Sequence, residues 1–205
     1  MLNDIRKRFY NSQPSSDPVK QVMDRLPEEI VEKYLKKTQL KHAGVLIGLI
    51  DDPKNGLSLL LTRRTANLKH HAGEISLPGG SFDEGQDTNI QSTALREADE
   101  EIGLKAGQLE ILGFLEPQIS LGTGFIVTPT IAHIESSFIP KIDTNEVEEL
   151  FSVPLSFLVN NNNLNHEYRT FDQIKWSVYT YHYEDYQIWG LTAQIIRKFC
   201  SKIVQ

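Results

Sequence analysis

The stretch Arg96-Glu97-Ala98-Asp99-Glu100-Glu101-Ile102-Gly103-Leu104 lies near the middle of this 205-residue chain and carries its strongest structural signal. It predicts the second half of a helix over 87–102, because its apolar residues recur at helical spacing. Asp87 or Thr88 is expected as the N-cap of this helix, since both can accept backbone hydrogen bonds there. Gly103 is expected as the C-cap, because glycine adopts the left-handed conformation that ends many helices.

The three glutamates of this stretch place like charges on neighbouring turns of the predicted helix. Glu97 and Glu101 lie about 40° apart around the axis, and Glu100 lies about 60° to the other side of Glu97. Their repulsion costs a few tenths of a kcal/mol per pair on an exposed helix, and more where burial removes solvent. A divalent cation such as Mg²⁺, which prefers hard oxygen ligands, would remove that cost. The alternative is a solvated acidic face in which Arg96 pairs with Glu100.

The negative charge of the chain is concentrated around this helix. Lys plus Arg is 21 and Asp plus Glu is 27, so the formal net charge is −6. Residues 83–101 hold seven acids and one base, so this window alone carries −6 and the rest of the chain sums to zero. The balance argues against nucleic acid as a partner. One acidic segment on an otherwise neutral chain agrees with either a cation site or a solvated acidic face.

Composition predicts one globular domain over 1–205. Hydrophobic residues make up 40% and charged residues 23%, close to the averages for such domains. The longest apolar-plus-glycine run covers 43–50, which is too short for a membrane helix, and no apolar signal core follows the basic N-terminus. Cys200 is the single cysteine, so no internal disulfide can form. We therefore expect a reduced, cytoplasmic protein without a membrane partner.

Turn and strand signals predict mixed α/β structure around the central helix. Turn-forming residues at 51–56 separate two strand candidates, 45–50 and 57–62, which predicts a β-hairpin. Other strands are expected over 74–77, 108–116, 124–134, 166–171 and 175–183. Helices are expected over 3–11, 18–37, 144–151 and 191–203. Residues 1–40 then form an N-terminal helical extension, and the remainder an α/β sandwich.

The Gly79-Gly80 turn and the glutamate helix together resemble the signature of the Nudix hydrolases. In that family a Gly-Gly loop precedes a helix that carries R-E-x-x-E-E-x-G, and residues 96–103 match this helical part in full. The front loop departs from the usual spacing, because Gln86 occupies the place of a glutamate and the loop is two residues longer. The resemblance implies a Nudix-type α/β/α sandwich with a mixed sheet, and a metal-dependent hydrolase of diphosphate linkages.

An upstream segment resembles one subfamily, the coenzyme A pyrophosphatases, whose signature is L-L-T-x-R-S-x-x-L-x-x-H-x-G-E-V-x-F-P-G-G. Residues 60–80 read LLTRRTANLKHHAGEISLPGG. They differ from the specified positions only at Thr65, Ile75 and Leu77, each time by a similar residue. Further matching segments bring the resemblance to roughly residues 40–200, and they cover 124–129, 145–155 and 188–193.

The resemblance implies roles for individual residues. Glu97 and Glu101 are the first candidates as ligands of Mg²⁺ or Mn²⁺. Glu100 is the third, either as a ligand or as a partner of Arg96, and Glu74 is a further candidate ligand. Glu97, Glu100 and Arg96 are the candidate catalytic residues. The candidate substrate-binding residues are Arg64, His71, Gly79 and Gly80.

Two downstream segments leave alternatives open. Glu146, Glu148 and Glu149 are expected on the helix over 144–151, where one of them could act as general base or all could be solvated surface acids. Trp189 is expected to pack in the core, with Gly190 providing a sharp turn into the last helix.

The expected reaction is hydrolysis of the diphosphate linkage of coenzyme A or a derivative. Its products are 4′-phosphopantetheine, or the acyl form, and adenosine 3′,5′-bisphosphate. The same chemistry on ADP-ribose, NADH or a dinucleoside polyphosphate is the first alternative. A non-catalytic nucleotide-binding module is the second, and the presence of all three helix glutamates disfavours it. The preferred form of coenzyme A, the general base, the number of metal ions and the existence of a homodimer stay open.

Overall fold

The computed structural model describes residues 1–33, 35–68, 71–171 and 174–204. Three residues of the predicted helices and signature motifs lie outside the described residues. They are Tyr34, which falls in the predicted helix 18–37, and Lys69 and His70, which belong to the segment 60–80.

Within these ranges the chain forms six α-helices and eleven strands. The helices are α1 (Leu2–Phe9), α2 (Pro18–Met23), α3 (Glu28–Lys33), α4 (Ile90–Ile102), α5 (Leu155–Leu158) and α6 (Gly190–Ile203). The strands are β1 (Lys41–Asp52), β2 (Gly56–Arg64), β3 (Ile75–Ser76), β4 (Gly79–Ser81), β5 (Leu109–Phe114), β6 (Gln118–Ser120), β7 (Phe125–Ile134), β8 (Val147–Pro154), β9 (Leu164–Phe171), β10 (Ile174–Tyr183) and β11 (Tyr186–Trp189). No helix in the described ranges has both the length and the apolar character needed to span a bilayer.

A mixed eight-stranded sheet holds the centre of the fold. β1 runs parallel to β7 along ten residue pairs, from Lys41–Phe125 to Ile50–Ile134. On its other edge, β1 pairs antiparallel with β4 near its start and with β2 near its end, which forms the predicted hairpin. β8 and β3 flank β2, while β5 and β6 lie along the outer edge of β7. β9, β10 and β11 form a second, antiparallel sheet.

Apolar layers cover both faces of the central sheet. Leu46 of β1 packs in a buried cluster that includes Ala98 and Ile102 of α4. Its neighbour Ile47 belongs to a larger buried cluster, which includes residues of α1 and α6 such as Phe199. Successive strand residues point to opposite faces, so β1 supports a helical layer on each side. The expected α/β/α sandwich with a mixed sheet is confirmed.

Two predicted helix boundaries were wrong. The helix expected over 18–37 is divided into α2, α3 and a 3₁₀ turn, and Pro27 lies between the first two. Proline lacks an N–H donor and disfavours helical backbone in the residue before it, which explains the break. The N-cap of α4 is Asn89, whose side chain accepts a 2.9 Å hydrogen bond from the Ser92 N–H. Asp87 pairs with an arginine instead of capping the helix.

The helix predicted over 144–151 was also wrong. Residues 147–154 form strand β8, which pairs antiparallel with β2. Val147 and Val153 are fully buried, and the pairing with β2 determines the conformation of this segment. Pro154 ends β8 and is the N-cap of the short helix α5.

Candidate active site

Three glycines allow α4 to lie unusually close to the strands beside it. A Cβ at Gly44 would lie 2.5 Å from the carbonyl oxygen of Ile90. Gly79 has a φ of +153°, and a Cβ there would lie 2.6 Å from Val45 Cα. A Cβ at Gly80 would lie closer than 3.0 Å to the carboxylate of Glu97. Gly79 and Gly80, which were predicted as a turn, begin strand β4, and the missing side chain at Gly80 lets the Glu97 carboxylate reach this strand.

Glu101 is the most buried acid of the site. Its side chain is only 3% exposed, and the Gly79 N–H donates a 3.3 Å hydrogen bond to its Oε2. Burial raises the pKa of Glu101 to about 8, although Arg64, whose Nη1 lies 3.6 Å from Oε1, acts in the opposite direction. Burial also raises the pKa of Glu97, against the influence of Arg96. A cation beside these two carboxylates would favour their charged forms.

Arg96 ties the loop before α4 to the glutamates. Its Nε and Nη2 each donate a 3.0 Å hydrogen bond to Asp87, whose side chain is 1% exposed. Its Nη1 lies 2.9 Å from both Glu97 and Glu100, so Glu100 is a partner of Arg96, which is one of the two roles expected for it. The Arg96 hydrogen bonds hold the pKa of Asp87 below its usual value. Arg96 therefore fixes the orientation of its carboxylate neighbours.

A cavity of about 760 Å³ opens beside the α4 glutamates. This volume lies within the range of sites that bind small molecules. Its polar lining residues include Arg64, His71, Glu74, Glu97, Glu101 and Glu146. Its apolar lining residues include Val45, Leu77, Phe125, Val127, Leu191 and Ile195. A lining with both charged and apolar side chains suits a ligand with an ionic group and a less polar remainder.

The structure brings most of the predicted site residues to this cavity. The lining residues predicted from sequence are Arg64, His71, Glu74, Gly79, Gly80, Glu97 and Glu101. His71 Nδ1 lies 2.8 Å from Glu74 Oε2, so the imidazole and the carboxylate orient each other. Arg96 and Glu100 are not part of the cavity lining, and the Glu100 side chain is 56% exposed.

The sequence did not distinguish the roles of the three downstream glutamates. The structure shows that they differ in whether they line the cavity. Glu146 precedes β8 and lines the cavity, whereas Glu148 and Glu149 do not. Two hydrogen bonds from Thr65, to the carbonyl oxygens of Asn145 and Glu146, hold this segment beside β2. Glu149 instead accepts a 2.8 Å hydrogen bond from the Tyr186 hydroxyl.

Sequence reasoning missed the two aromatic residues of the cavity. Phe125 lines it from the start of β7. Trp189, which was expected in the core, lines it from the end of β11 and is 39% exposed, so that prediction was wrong. Both belong to segments that match the subfamily, and this was the available signal. Gly190 has a φ of +64°, which agrees with the predicted sharp turn.

The donor groups of the site fit a divalent cation. Glu97 and Glu101 offer hard carboxylate oxygens on adjacent turns of α4. Burial disfavours their negative charges, which a cation would balance. Across the residues that the structure describes, no three His, Cys, Asp or Glu side chains already converge on one metal position. The contacts of Glu97 and Glu100 with Arg96 agree with this observation. Two glutamates would therefore contribute ligands, with water or substrate oxygens completing the shell.

Comparisons with known proteins agree with this geometry. The profile of the NUDIX domain matches residues 40–175. The uncharacterized Nudix hydrolase NudL of Photorhabdus laumondii is 37% identical over 163 residues, which cover 80% of this chain and 85% of the relative. NudL of Escherichia coli O6:H1 is 34% identical over 179 residues, which cover 85% and 90%. A MutT/nudix family protein of Enterococcus faecalis has a TM-score of 0.53 at 16% identity, covering 94% of this chain and 76% of that structure, and shares the fold.

Proposed function

The chain belongs to the Nudix hydrolase family, whose members act on pyrophosphate bonds, and on that basis we propose that it cleaves the diphosphate linkage of coenzyme A or a coenzyme A derivative. The products are 4′-phosphopantetheine, or its acyl form, and adenosine 3′,5′-bisphosphate. The reaction depends on a divalent cation, Mg²⁺ or Mn²⁺.

The observation that carries this proposal is the convergence of two sequence segments on one cavity. The segment 60–80, which resembles the coenzyme A pyrophosphatases, contributes four residues to the cavity lining: Arg64, Glu74, Gly79 and Gly80. The helix α4 contributes Glu97 and Glu101. The residues that favour coenzyme A therefore face the same space as the residues that the family uses for hydrolysis.

Arg64 is the proposed phosphate-binding residue. Its side chain is 24% exposed, and its Nε is buried with no hydrogen-bond partner in the described part of the chain. A guanidinium group presents several donors in a fixed plane, which suits phosphoryl oxygens. Arg64 also lies 3.6 Å from Glu101, so it places positive charge beside the carboxylates where a polyanionic substrate must bind.

The proposed cation site uses Glu97 and Glu101 first, with Glu74 and Glu100 as further candidate ligands. When bound, the cation neutralises charge on the phosphoryl oxygens and makes a coordinated water more acidic. Arg96 keeps its positioning role, because it contacts Glu97 and Glu100 at 2.9 Å. Gly80 of β4 leaves the space that the Glu97 carboxylate needs.

Glu146 is the proposed general base. Its side chain is exposed and lines the cavity, so it can accept a proton from an attacking water. Its negative charge also contributes to raising the pKa values of Glu97 and Glu101, which indicates that the three carboxylates share one electrostatic environment. Glu148 and Glu149 lack this position because they lie outside the cavity lining.

A substrate panel tests the function. Coenzyme A, acetyl coenzyme A, coenzyme A disulfide, ADP-ribose, NADH and diadenosine tetraphosphate are each incubated with the protein and Mg²⁺ or Mn²⁺, and the products are separated. We expect the coenzyme A class to give the highest kcat/KM and to release adenosine 3′,5′-bisphosphate. Faster turnover of ADP-ribose, NADH or the dinucleoside polyphosphate would overturn the substrate assignment. Thermal stabilisation by the cation without turnover of any compound would indicate a non-catalytic nucleotide-binding module.

A further inference from the structure

Trp189 has a position that the proposed chemistry does not explain. Trp189 lines the same cavity as Glu97 and Glu101, and 39% of the residue is exposed. Burying a large aromatic side chain ordinarily stabilises a protein, so a tryptophan left open at a cavity forgoes part of that stabilisation. An exposed aromatic ring beside a charged site is a surface on which a planar ligand can stack.

The contacts of Trp189 distinguish it from the other aromatic residue of the cavity. Phe125 is partly buried and packs against the main hydrophobic cluster, whereas Trp189 is exposed and belongs to neither buried cluster of the described residues. Arg169 places its guanidinium over the indole, 5.9 Å from the ring centroid. A guanidinium group over an aromatic ring is attracted by the ring quadrupole, so this contact restricts the orientation of the indole.

We propose that Trp189 stacks on the purine ring of the substrate and so determines specificity for the nucleotide half of the molecule. This inference rests on the proposed function, because it concerns the substrate of the same site. The cavity offers aliphatic side chains, including Leu77, Val127 and Ile195, for a flexible chain. The flat indole is the surface that suits a flat heteroaromatic base, and stacking on an aromatic side chain tolerates any base with a π face.

Equilibrium binding of the two product halves tests the assignment. The probes are adenosine 3′,5′-bisphosphate, which contains the base, and 4′-phosphopantetheine, which does not, both at fixed Mg²⁺. We expect Trp189→Ala to weaken binding of the bisphosphate by about fivefold or more and to leave binding of 4′-phosphopantetheine within twofold. Trp189→Phe, which keeps a ring, should retain most of the affinity. Phe125→Leu is the matched control and should have the smaller effect on the bisphosphate.

Fluorescence gives a second readout, because the chain contains only Trp176 and Trp189. In Trp176→Phe the emission reports on Trp189 alone, and stacking of the purine should quench it. The quenching should disappear in Trp189→Phe, whose remaining tryptophan is not part of the cavity lining. Unchanged bisphosphate affinity in Trp189→Ala, or selective loss of 4′-phosphopantetheine binding, would overturn the inference.

The design separates this inference from the proposed function. If coenzyme A is not cleaved but the bisphosphate binds and quenches Trp189, the stacking role stands and the reaction assignment fails. If coenzyme A is cleaved and Trp189→Ala binds the bisphosphate as tightly as the unmodified protein, the reaction assignment stands and the stacking role fails. A thermal melt of each variant identifies any loss of binding that reflects unfolding, and Trp189→Phe then decides the result.

Discussion

The carboxylate of Glu97 fills the space that a side chain at Gly80 would need. A Cβ at residue 80 would lie closer than 3.0 Å to Cδ and to both carboxylate oxygens of Glu97. Gly80 is therefore part of the site because it has no side chain that would occupy the position of this carboxylate. Gly80 has no positive φ that would require glycine, so the close approach alone explains its presence.

Replacing Gly80 should displace this carboxylate. In Gly80→Ala the new methyl group should force the Glu97 carboxylate away from residue 80. A shift of about 1 Å at a reacting centre can lower the rate by about 100-fold. Steady-state kinetics should show the loss mainly in kcat. Gly107→Ala is the matched control, because a Cβ at residue 107 meets nothing within 4 Å. Equal activity in both variants would contradict the packing argument.

The three α4 glutamates should not contribute equally. Glu97→Gln and Glu101→Gln each remove a charge from the cavity and should lower kcat by roughly 100-fold or more. Glu100→Gln changes a 56% exposed partner of Arg96 and should cost less than about tenfold. Rates measured beside thermal melts would separate chemistry from folding. A loss in Glu100→Gln as large as in the other two would instead make Glu100 a ligand.

Removal of divalent cations should abolish turnover. Two buried carboxylates disfavour a polyanionic substrate until a cation offsets their charge. Dialysis against a chelator should stop the reaction, and added Mg²⁺ or Mn²⁺ should restore it. The same cations should raise the melting temperature of the unmodified protein more than that of Glu97→Gln. Activity that survives exhaustive chelation would refute the metal assignment.

Glu146 and Glu148 provide a matched pair for the general base. They are two residues apart and both exposed, but only Glu146 lines the cavity. Glu146→Gln should lower kcat by about 100-fold or more with little change in KM, whereas Glu148→Gln should remain near full activity. The reverse order would transfer the role to Glu148. Two active variants would exclude both residues as the base.

The ion pair of Asp87 and Arg96 should make stability depend on acid pH. Asp87→Asn should lower the free energy of unfolding by about 2 kcal/mol at neutral pH, since it removes a charge-assisted pair that is largely buried. Because the folded-state pKa of Asp87 is lowered, its contribution is complete above the unfolded value near 4 and is lost as the pH falls through the folded value. Urea denaturation across a pH series measures the difference, with Glu84→Gln as an exposed control. A difference that stays constant at low pH would mean that charge is not its cause.

Gly79-Gly80, predicted as a turn, is part of strand β4, because both residues pair with β1. Local patterns were sufficient to predict α4 and the β1–β2 hairpin. Each depends on neighbouring residues, such as the turn-forming run 51–56 or the left-handed Gly103 that ends α4. The Arg96–Glu100 pair was predictable for the same reason, because helical spacing alone brings the two side chains together.

Long-range pairing explains what local patterns missed. Residues 147–154 contain enough glutamate to suggest a helix, but their alignment with β2 imposes a strand. Trp189 is a large apolar residue of the kind that is usually buried in a core. Its exposure follows from the cavity that distant segments form around it. The separation of Glu146 from Glu148 likewise required the position of β8 in the sheet.

Asp87 makes hydrogen bonds within the loop before α4 as well as with Arg96. It accepts a 2.9 Å hydrogen bond from the Asp83 N–H, and the residues between them bond back to Asp83 through the Gly85 N–H and the Gln86 side chain. These hydrogen bonds hold the two ends of the segment 83–87 together. The two additional residues, relative to the usual Nudix spacing, belong to the loop between Gly80 and α4. A fluorophore or short epitope introduced at the exposed Glu84–Gly85 step would accordingly label a working enzyme.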